Sequence, residues 1–185
     1  MTITTREEFG SLLNELGLNG FGVEIGVGSA KYSEVLLSTT KLAKIFFIDP
    51  WKEYPKSEYD DVTNSNQKTQ DQRYAITVKK LEKYGDRAVV IRKDSEESLT
   101  DFPDTSFDFI HIDANHSYEH SKRDVNNWYP KLKVNGIFSG HDYFDGRSRT
   151  GIYGVKSAVD EFCKEHKVIP IILQKGLTWY FVKTN

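Results

Sequence analysis

Two short segments gather residue types that can do acid–base or metal chemistry: Asp113-Ala-Asn115-His116-Ser-Tyr118 and Gly140-His141-Asp142-Tyr143. Of the 5 histidines, three fall between positions 111 and 120, and His141 is a fourth. Two carboxylates suit Mg²⁺, and an added imidazole shifts the preference toward Mn²⁺, Fe²⁺ or Zn²⁺. A bound cation lowers the pKa of a hydroxyl and fixes its position, while an imidazole can take up the proton released. Asp113 and Asp142 are therefore expected to orient a substrate, through a metal or directly, with His116 or His141 as the base. The plainer reading keeps both carboxylates as loop caps. His111 lies within an apolar run and is expected to be structural. His116 and His120, four apart, would suit zinc only if they shared a helix face, and a helix start beside Ser117 and Glu119 is the simpler account.

A second group reads as a ligand cradle. Glu24-Ile-Gly26-Val-Gly28-Ser29-Ala30 follows a short apolar run and opens a helical pattern. Glycines there permit a tight turn, and the helix start behind them offers free N–H groups. Asp49 ends the next apolar run, where an acid can accept hydrogen bonds from ribose hydroxyls. Asp94 ends a third run, followed by Ser95. The dinucleotide fingerprint G-x-G-x-x-G fails, because Lys31 stands at the third glycine position.

The elements that must position these residues alternate along the chain. Phe9, Leu12, Leu13 and Leu16 mark one helical face, and Gly17 a stop. Apolar runs at 21–25, 45–48, 88–91, 107–112 and 136–139 suit strands buried on both faces of a parallel sheet. Helical patterns follow at 32–36, 74–81, 118–128 and 155–162. Runs at 168–173 and 177–182, joined by Gln174-Lys-Gly176, predict a terminal antiparallel hairpin. The expected fold is α/β: a Rossmann-like three-layer α/β/α sandwich with a seven-stranded, mostly parallel sheet and that hairpin at its C-terminus. In such sheets ligands sit beyond the carboxyl ends of the strands, which is where Asp49, Asp94, Asp113 and Asp142 fall. The polar, aromatic stretches 51–66 and 143–154 are expected to form substrate loops or a lid, with Tyr54, Tyr59, Tyr143 and Phe144 stacking on the substrate. Arg147 and Arg149 would pair with an anionic group on it.

Composition bounds the rest. The 185 residues carry 25 Lys+Arg against 27 Asp+Glu, and 11 Phe, 10 Tyr and 3 Trp. One domain over 1–185 is expected, and a disordered chain is excluded by the aromatic content. A net charge of −2 gives no electrostatic case for nucleic acid or an anionic membrane. There is no apolar run long enough for a membrane helix and no secretory signal pattern. The lone Cys163 makes no internal disulfide, which fits a cytoplasmic protein.

On these motifs the chain resembles the class I S-adenosylmethionine-dependent methyltransferases, from Phe21 to Val182. Their first motif is an acid, then G-x-G, often with a further glycine two residues on; here these are Glu24, Gly26, Gly28 and, in the last place, Ala30. The resemblance implies that Gly26 and Gly28 pass under the methionine end of the cofactor and Asp49 holds the ribose. It also implies that Trp51 packs near the adenine and that Asp94, with Ser95, reaches the adenine amino group; Asp113 borders the same site. The 113–118 and 140–143 segments, with Trp128-Tyr-Pro-Lys-Leu132, resemble a branch that includes sugar O-methyltransferases and cephalosporin-hydroxylase-like proteins, and more distantly catechol O-methyltransferase. Some members hold a divalent metal at positions matching Asp113, His141 and Asp142; the pair there is commonly Asp-Asp or Asp-Asn, and His141 departs from it. The implied activity is methyl transfer to oxygen on a small, sugar-like or other acceptor, with Mg²⁺ or Mn²⁺ left open. Dimers are common in the branch, so a homodimer stays open too. A cofactor-binding accessory protein without turnover and, further off, a nucleotide-cofactor oxidoreductase are the alternative readings.

Overall fold

A computed structural model describes residues 1–184. Its main sheet has seven strands in the order β3-β2-β1-β4-β5-β9-β8. These are β1 (Phe21–Ile25), β2 (Lys44–Ile48), β3 (Ala88–Ile91), β4 (Phe107–Ile112), β5 (Leu132–Gly140), β8 (Ile171–Ile172) and β9 (Trp179–Val182). The first five pair in parallel, and β9 runs antiparallel to both β5 and β8. The C-terminal hairpin is thus present, although β8 is only 2 residues long. Strand β4 at the centre is buried at all 6 positions, which explains why its sequence, FDFIHI, lacks a clean polar–apolar alternation.

Helices cover both faces. One layer packs Phe9, Leu12 and Leu13 of α1 (Phe9–Glu15), Leu36 and Leu37 of α2 (Lys31–Thr39) and Leu81 of α3 (Gln67–Leu81) against Phe47 and Phe109. The opposite layer packs Val125 and Trp128 of α5 (Tyr118–Trp128) and Val159 and Phe162 of α6 (Val155–His166) against Ile110, Phe138 and Phe181. Leu16, expected on the buried face of α1, is 52% exposed: α1 ends at Glu15, and the following Gly17 turns the chain with φ +71°. A short helix, α4 (Ser95–Ser98), follows β3 and has no periodic signature in its four residues, SEES.

The stretch expected as an open Gly-rich loop holds a small hairpin, β6 (Asp145–Arg147) with β7 (Ile152–Gly154). An isolated bridge between Asp61 and Gly151 ties it to the 51–66 loop, so the two expected substrate loops touch. Among the described residues no helix is long and apolar enough to cross a membrane.

Because β1 lies between β2 and β4, strand order reverses beside it. A sheet of this kind opens a crevice at the carboxyl ends of its strands at that point. The crevice here is a cleft of about 610 Å³, lined among others by Gly26, Gly28, Asp49, Asp94, Asp113 and His116.

Candidate active site

The glycine turn is held from two sides. Asp49 Oδ2 accepts hydrogen bonds from the N–H groups of Val27 and Gly28 at 2.9 and 3.0 Å, and its Oδ1 accepts from Trp51 N–H at 2.7 Å. Burial raises the Asp49 pKa, while those three backbone donors offset part of the rise. Gly26 has φ +85°, and a Cβ built on it would lie 2.1 Å from the Asp113 carbonyl oxygen. The neighbouring strand end is by itself enough to require a glycine here, and Gly26 also lines the cleft. Gly28, at φ +57°, has nothing within 4 Å of such a Cβ, so it is the position open to the cleft. Ala30 adopts the left-handed conformation glycine favours, φ 58°, and so keeps the turn despite its side chain.

Trp51 is placed differently from the expectation. It is 1% exposed, does not line the cleft, donates Nε1–H to the Gly28 carbonyl at 2.8 Å and packs against Tyr74. It braces the glycine turn from behind, and Pro50, Lys52 and Tyr54 line the cleft instead. No hydrophobicity pattern distinguishes a tryptophan under a turn from one beside a ligand. Glu24 likewise lies beneath the site. It is buried, accepts from Ser33 Oγ at 2.6 Å, and burial raises its pKa to about 8.

At the other end of the cleft Asp94 N-caps α4 by position and accepts the Tyr54 hydroxyl. Ser95 donates its hydroxyl to Asp124 at 2.7 Å and accepts from Trp128 Nε1 at 2.8 Å, so its side chain is committed and its part in a ligand contact falls to the backbone N–H. Asp124, which belongs to no motif, is buried and lines the cleft. Burial raises its pKa to about 6, against the opposing Ser95 hydrogen bond. The signal available was its register: Asp124, Val125 and Trp128 share the inward face of α5.

The reaction cluster assembles where β4 and β5 end. His116 sits in the loop ahead of α5, whose N-cap is Ser117, so it shares no helix face with His120. Its ring is held among three carboxylates: Nδ1 is 3.4 Å from Asp61, and Nε2 is 3.1 Å from Asp142 and 3.4 Å from Asp113. Tyr153 of β7 stacks on the same ring at 4.9 Å. Burial alone would lower the His116 pKa; hydrogen bonds to Asp113 and Asp61 and the charges of Asp113 and Asp142 outweigh it and raise the value to about 10. Burial likewise works to raise Asp113, yet the His116 hydrogen bond and the surrounding histidines hold it well below the usual carboxylate range. His141 Nδ1 lies 3.2 Å from Asp142 Oδ2. Asp113, His141 and Asp142 present ligand atoms all within 4.8 Å of one another. The cluster thus joins all the residues expected to carry chemistry, and adds Asp61 and Tyr153 from the two loops.

His111 is buried on β4, as a structural histidine would be. Burial pushes its pKa down to about 3, Nδ1 meets Ser139 Oγ at 2.9 Å, and Nε2 has no partner among the described residues. Tyr143 turns away from the cleft toward α6, where its hydroxyl donates to Asp160. Arg147 pairs with Asp60 at 3.1 Å.

A seven-stranded sheet with a reversed terminal hairpin, a glycine turn clamped by an acid at the next strand end, and a cleft over the switch point define the class I S-adenosylmethionine-dependent methyltransferase fold. Residues 21–143 match a family of methyltransferase domains, and the chain belongs to it. Among curated proteins, an uncharacterised protein of Sinorhizobium fredii is 40% identical over 53 residues, which are 29% of this chain; the chain spans only 6% of that relative's length. Among solved structures, a candidate caffeoyl-CoA O-methyltransferase from Staphylococcus aureus aligns with a TM-score of 0.70 and 16% identity, over 100% of this chain and 86% of that one. An O-methyltransferase from Bacillus cereus, in complex with S-adenosylhomocysteine, aligns at 0.63 and 14%, over 99% and 83%. At such identities these likenesses establish the fold.

Proposed function

We propose that the protein transfers a methyl group from S-adenosylmethionine to a hydroxyl oxygen of a small molecule. The observation that carries this reading is the continuity of the cleft: the clamped Gly26–Gly28 turn lies at one side of it, Asp94 and Asp124 at one end, and Asp113 with His116 at the other. The cofactor would lie with its adenine toward Asp94 and Asp124, its ribose against Asp49, and its methionine end over Gly28, where backbone space is open. In that pose the methyl group would lie beside the Asp113–His116 edge. The Staphylococcus aureus and Bacillus cereus structures, both described as O-methyltransferases, support oxygen as the acceptor atom.

The residues divide the remaining tasks. A hydroxyl is a poor nucleophile while protonated, so a base must be near. Both ring nitrogens of His116 face carboxylates, and it serves to hold Asp61, Asp113 and Asp142 together. Among the described residues His141 makes a single ion-pair contact, with Asp142, against three for His116, and we assign it the proton, with Asp142 stabilising the imidazolium formed. The donor set Asp113, His141 and Asp142 also fits a divalent cation such as Mg²⁺ or Mn²⁺ by spacing and chemistry, and with one bound His141 would be a ligand and not the base. A cation there would lower the hydroxyl pKa and fix the acceptor. The loops 51–66 and 143–154, joined at Asp61 and Gly151, would close over the acceptor, with Tyr59, whose hydroxyl reaches the Ala114 carbonyl at 3.3 Å, on its side of the cleft.

The test is formation of S-adenosylhomocysteine from S-adenosylmethionine over a panel of sugars, phenols and amines, with and without Mn²⁺. Turnover with hydroxyl acceptors and none with amines is expected. Turnover confined to amines would overturn the oxygen assignment, and no turnover with measurable cofactor binding would favour an accessory role.

A further inference from the structure

Residues 1–20 precede the matched domain, yet one side chain from this segment reaches the reaction cluster. Arg6 Nη1 donates to Asp113 Oδ2 at 3.0 Å. The segment that carries Arg6 is built to stay in place. Glu8 accepts from the N–H groups of Thr4 and Thr5 at 2.6 and 3.3 Å, closing a turn around Arg6. The Thr4 carbonyl accepts from Lys175 N–H at 3.2 Å, which ties the segment to the C-terminal hairpin, and Ile3 is buried. Tyr32 grips Arg6 twice: its ring lies under the guanidinium at 4.7 Å, and its hydroxyl donates to the Arg6 carbonyl at 3.0 Å. A guanidinium held between Asp113 and the Tyr32 ring, on a backbone that the Tyr32 hydroxyl ties down, is a fixed charge, not a surface ion pair of little worth.

Its target makes the contact consequential. Asp113 is the carboxylate of the cluster that lines the cleft, and it is also a candidate metal ligand. Arg6 takes its Oδ2 and His116 approaches its Oδ1, so each oxygen already has a partner with which a cation would have to compete. A fixed positive charge at ion-pair distance from a ligand oxygen also opposes any further cation there. We infer that Arg6 is a positioning residue of the reaction centre: it orients Asp113 and supplies the positive charge a divalent cation would otherwise bring, and so sets a weak affinity for such a cation. The inference rests on the assignment of Asp113, His141 and Asp142 as the reaction centre.

The experiment is calorimetric titration of the full chain with Mn²⁺ alone, for wild type, Arg6→Gln, Arg6→Lys and Tyr32→Phe. Arg6→Gln is expected to bind Mn²⁺ at least about tenfold more tightly than wild type, through loss of the opposing charge. Arg6→Lys keeps the charge and is expected to stay near wild type. Tyr32→Phe loosens the grip without touching Asp113, is expected to fall between, and serves if Arg6→Gln does not fold. Adding Asp142→Asn to Arg6→Gln is expected to abolish the gained affinity, which locates the ion. Equal or weaker Mn²⁺ binding in Arg6→Gln, or no binding in any variant, would overturn the inference. S-adenosylhomocysteine affinity, measured in parallel, is expected to stay within about twofold of wild type in Arg6→Gln, since Arg6 does not line the cleft. Loss of that affinity in wild type would count against the methyltransferase reading and leave the Mn²⁺ comparison standing.

Discussion

The carbonyl oxygen of Asp113 stands 2.1 Å from where a Cβ on Gly26 would be, so the turn after β1 and the end of β4 are packed backbone to backbone. Two glycines that look equivalent in the motif are therefore different in kind. Gly26→Ala must push two strand ends apart and adopt φ +85°, and is expected to cost about 3 kcal/mol or more in urea unfolding. Gly28→Ala meets no atom within 4 Å and is expected to cost only about 1–2 kcal/mol, the left-handed penalty, while its methyl enters the cleft and weakens cofactor binding. Equal stability losses in the two variants would contradict this division.

Trp51 braces the same turn through its hydrogen bond to the Gly28 carbonyl. Trp51→Phe keeps most of the buried ring and leaves that carbonyl without its indole donor. A loss of about 1 kcal/mol in chemical denaturation is expected. Cofactor affinity should fall only modestly, because Trp51 does not line the cleft. A complete loss of cofactor binding with stability intact would return Trp51 to a direct contact.

Glu24 makes a pH prediction. Its folded pKa is raised to about 8 from an ordinary value of 4.5, so the unfolded chain loses this proton first. The stability that the protonated form supports is complete below about 4.5 and is lost as pH rises through about 8. Glu24→Gln keeps a neutral hydrogen-bonding group opposite Ser33 and should flatten the stability curve between pH 5 and 8, removing a slope of about 1 kcal/mol per pH unit. An unchanged slope in urea titrations at several pH values would refute the assignment.

Much of this arrangement is legible in the residues themselves. The parallel strands announce themselves as apolar runs leading to Asp49, Asp94, Asp113 and Asp142, and the order of runs and helical patterns yields the sheet and its hairpin, although β3, at the sheet edge, is only half-buried where burial on both faces is expected. What the residues do not show is orientation. Trp51 and Tyr143 flank site residues in sequence but point beneath the turn and toward α6, because a backbone at φ 42° and an acceptor on Asp160 redirect them. Arg6 and Asp61 escape a reading by motif for another reason: both reach the cluster across long stretches of chain, Arg6 over 107 residues to Asp113 and Asp61 over 55 to His116. Such pairs are set by packing of segments with no periodicity of their own.

The central claim is that the cleft over the Gly26–Gly28 turn holds S-adenosylmethionine. Isothermal titration with S-adenosylhomocysteine tests it most directly, on wild type and on Asp49→Ala, with thermal melting to confirm that the variant folds. Micromolar binding by wild type, weakened at least about a hundredfold in a folded Asp49→Ala, is the predicted result, since Asp49 clamps the turn and lines the cleft where the proposal puts the ribose. No binding by wild type, or unchanged binding in the variant, would contradict it.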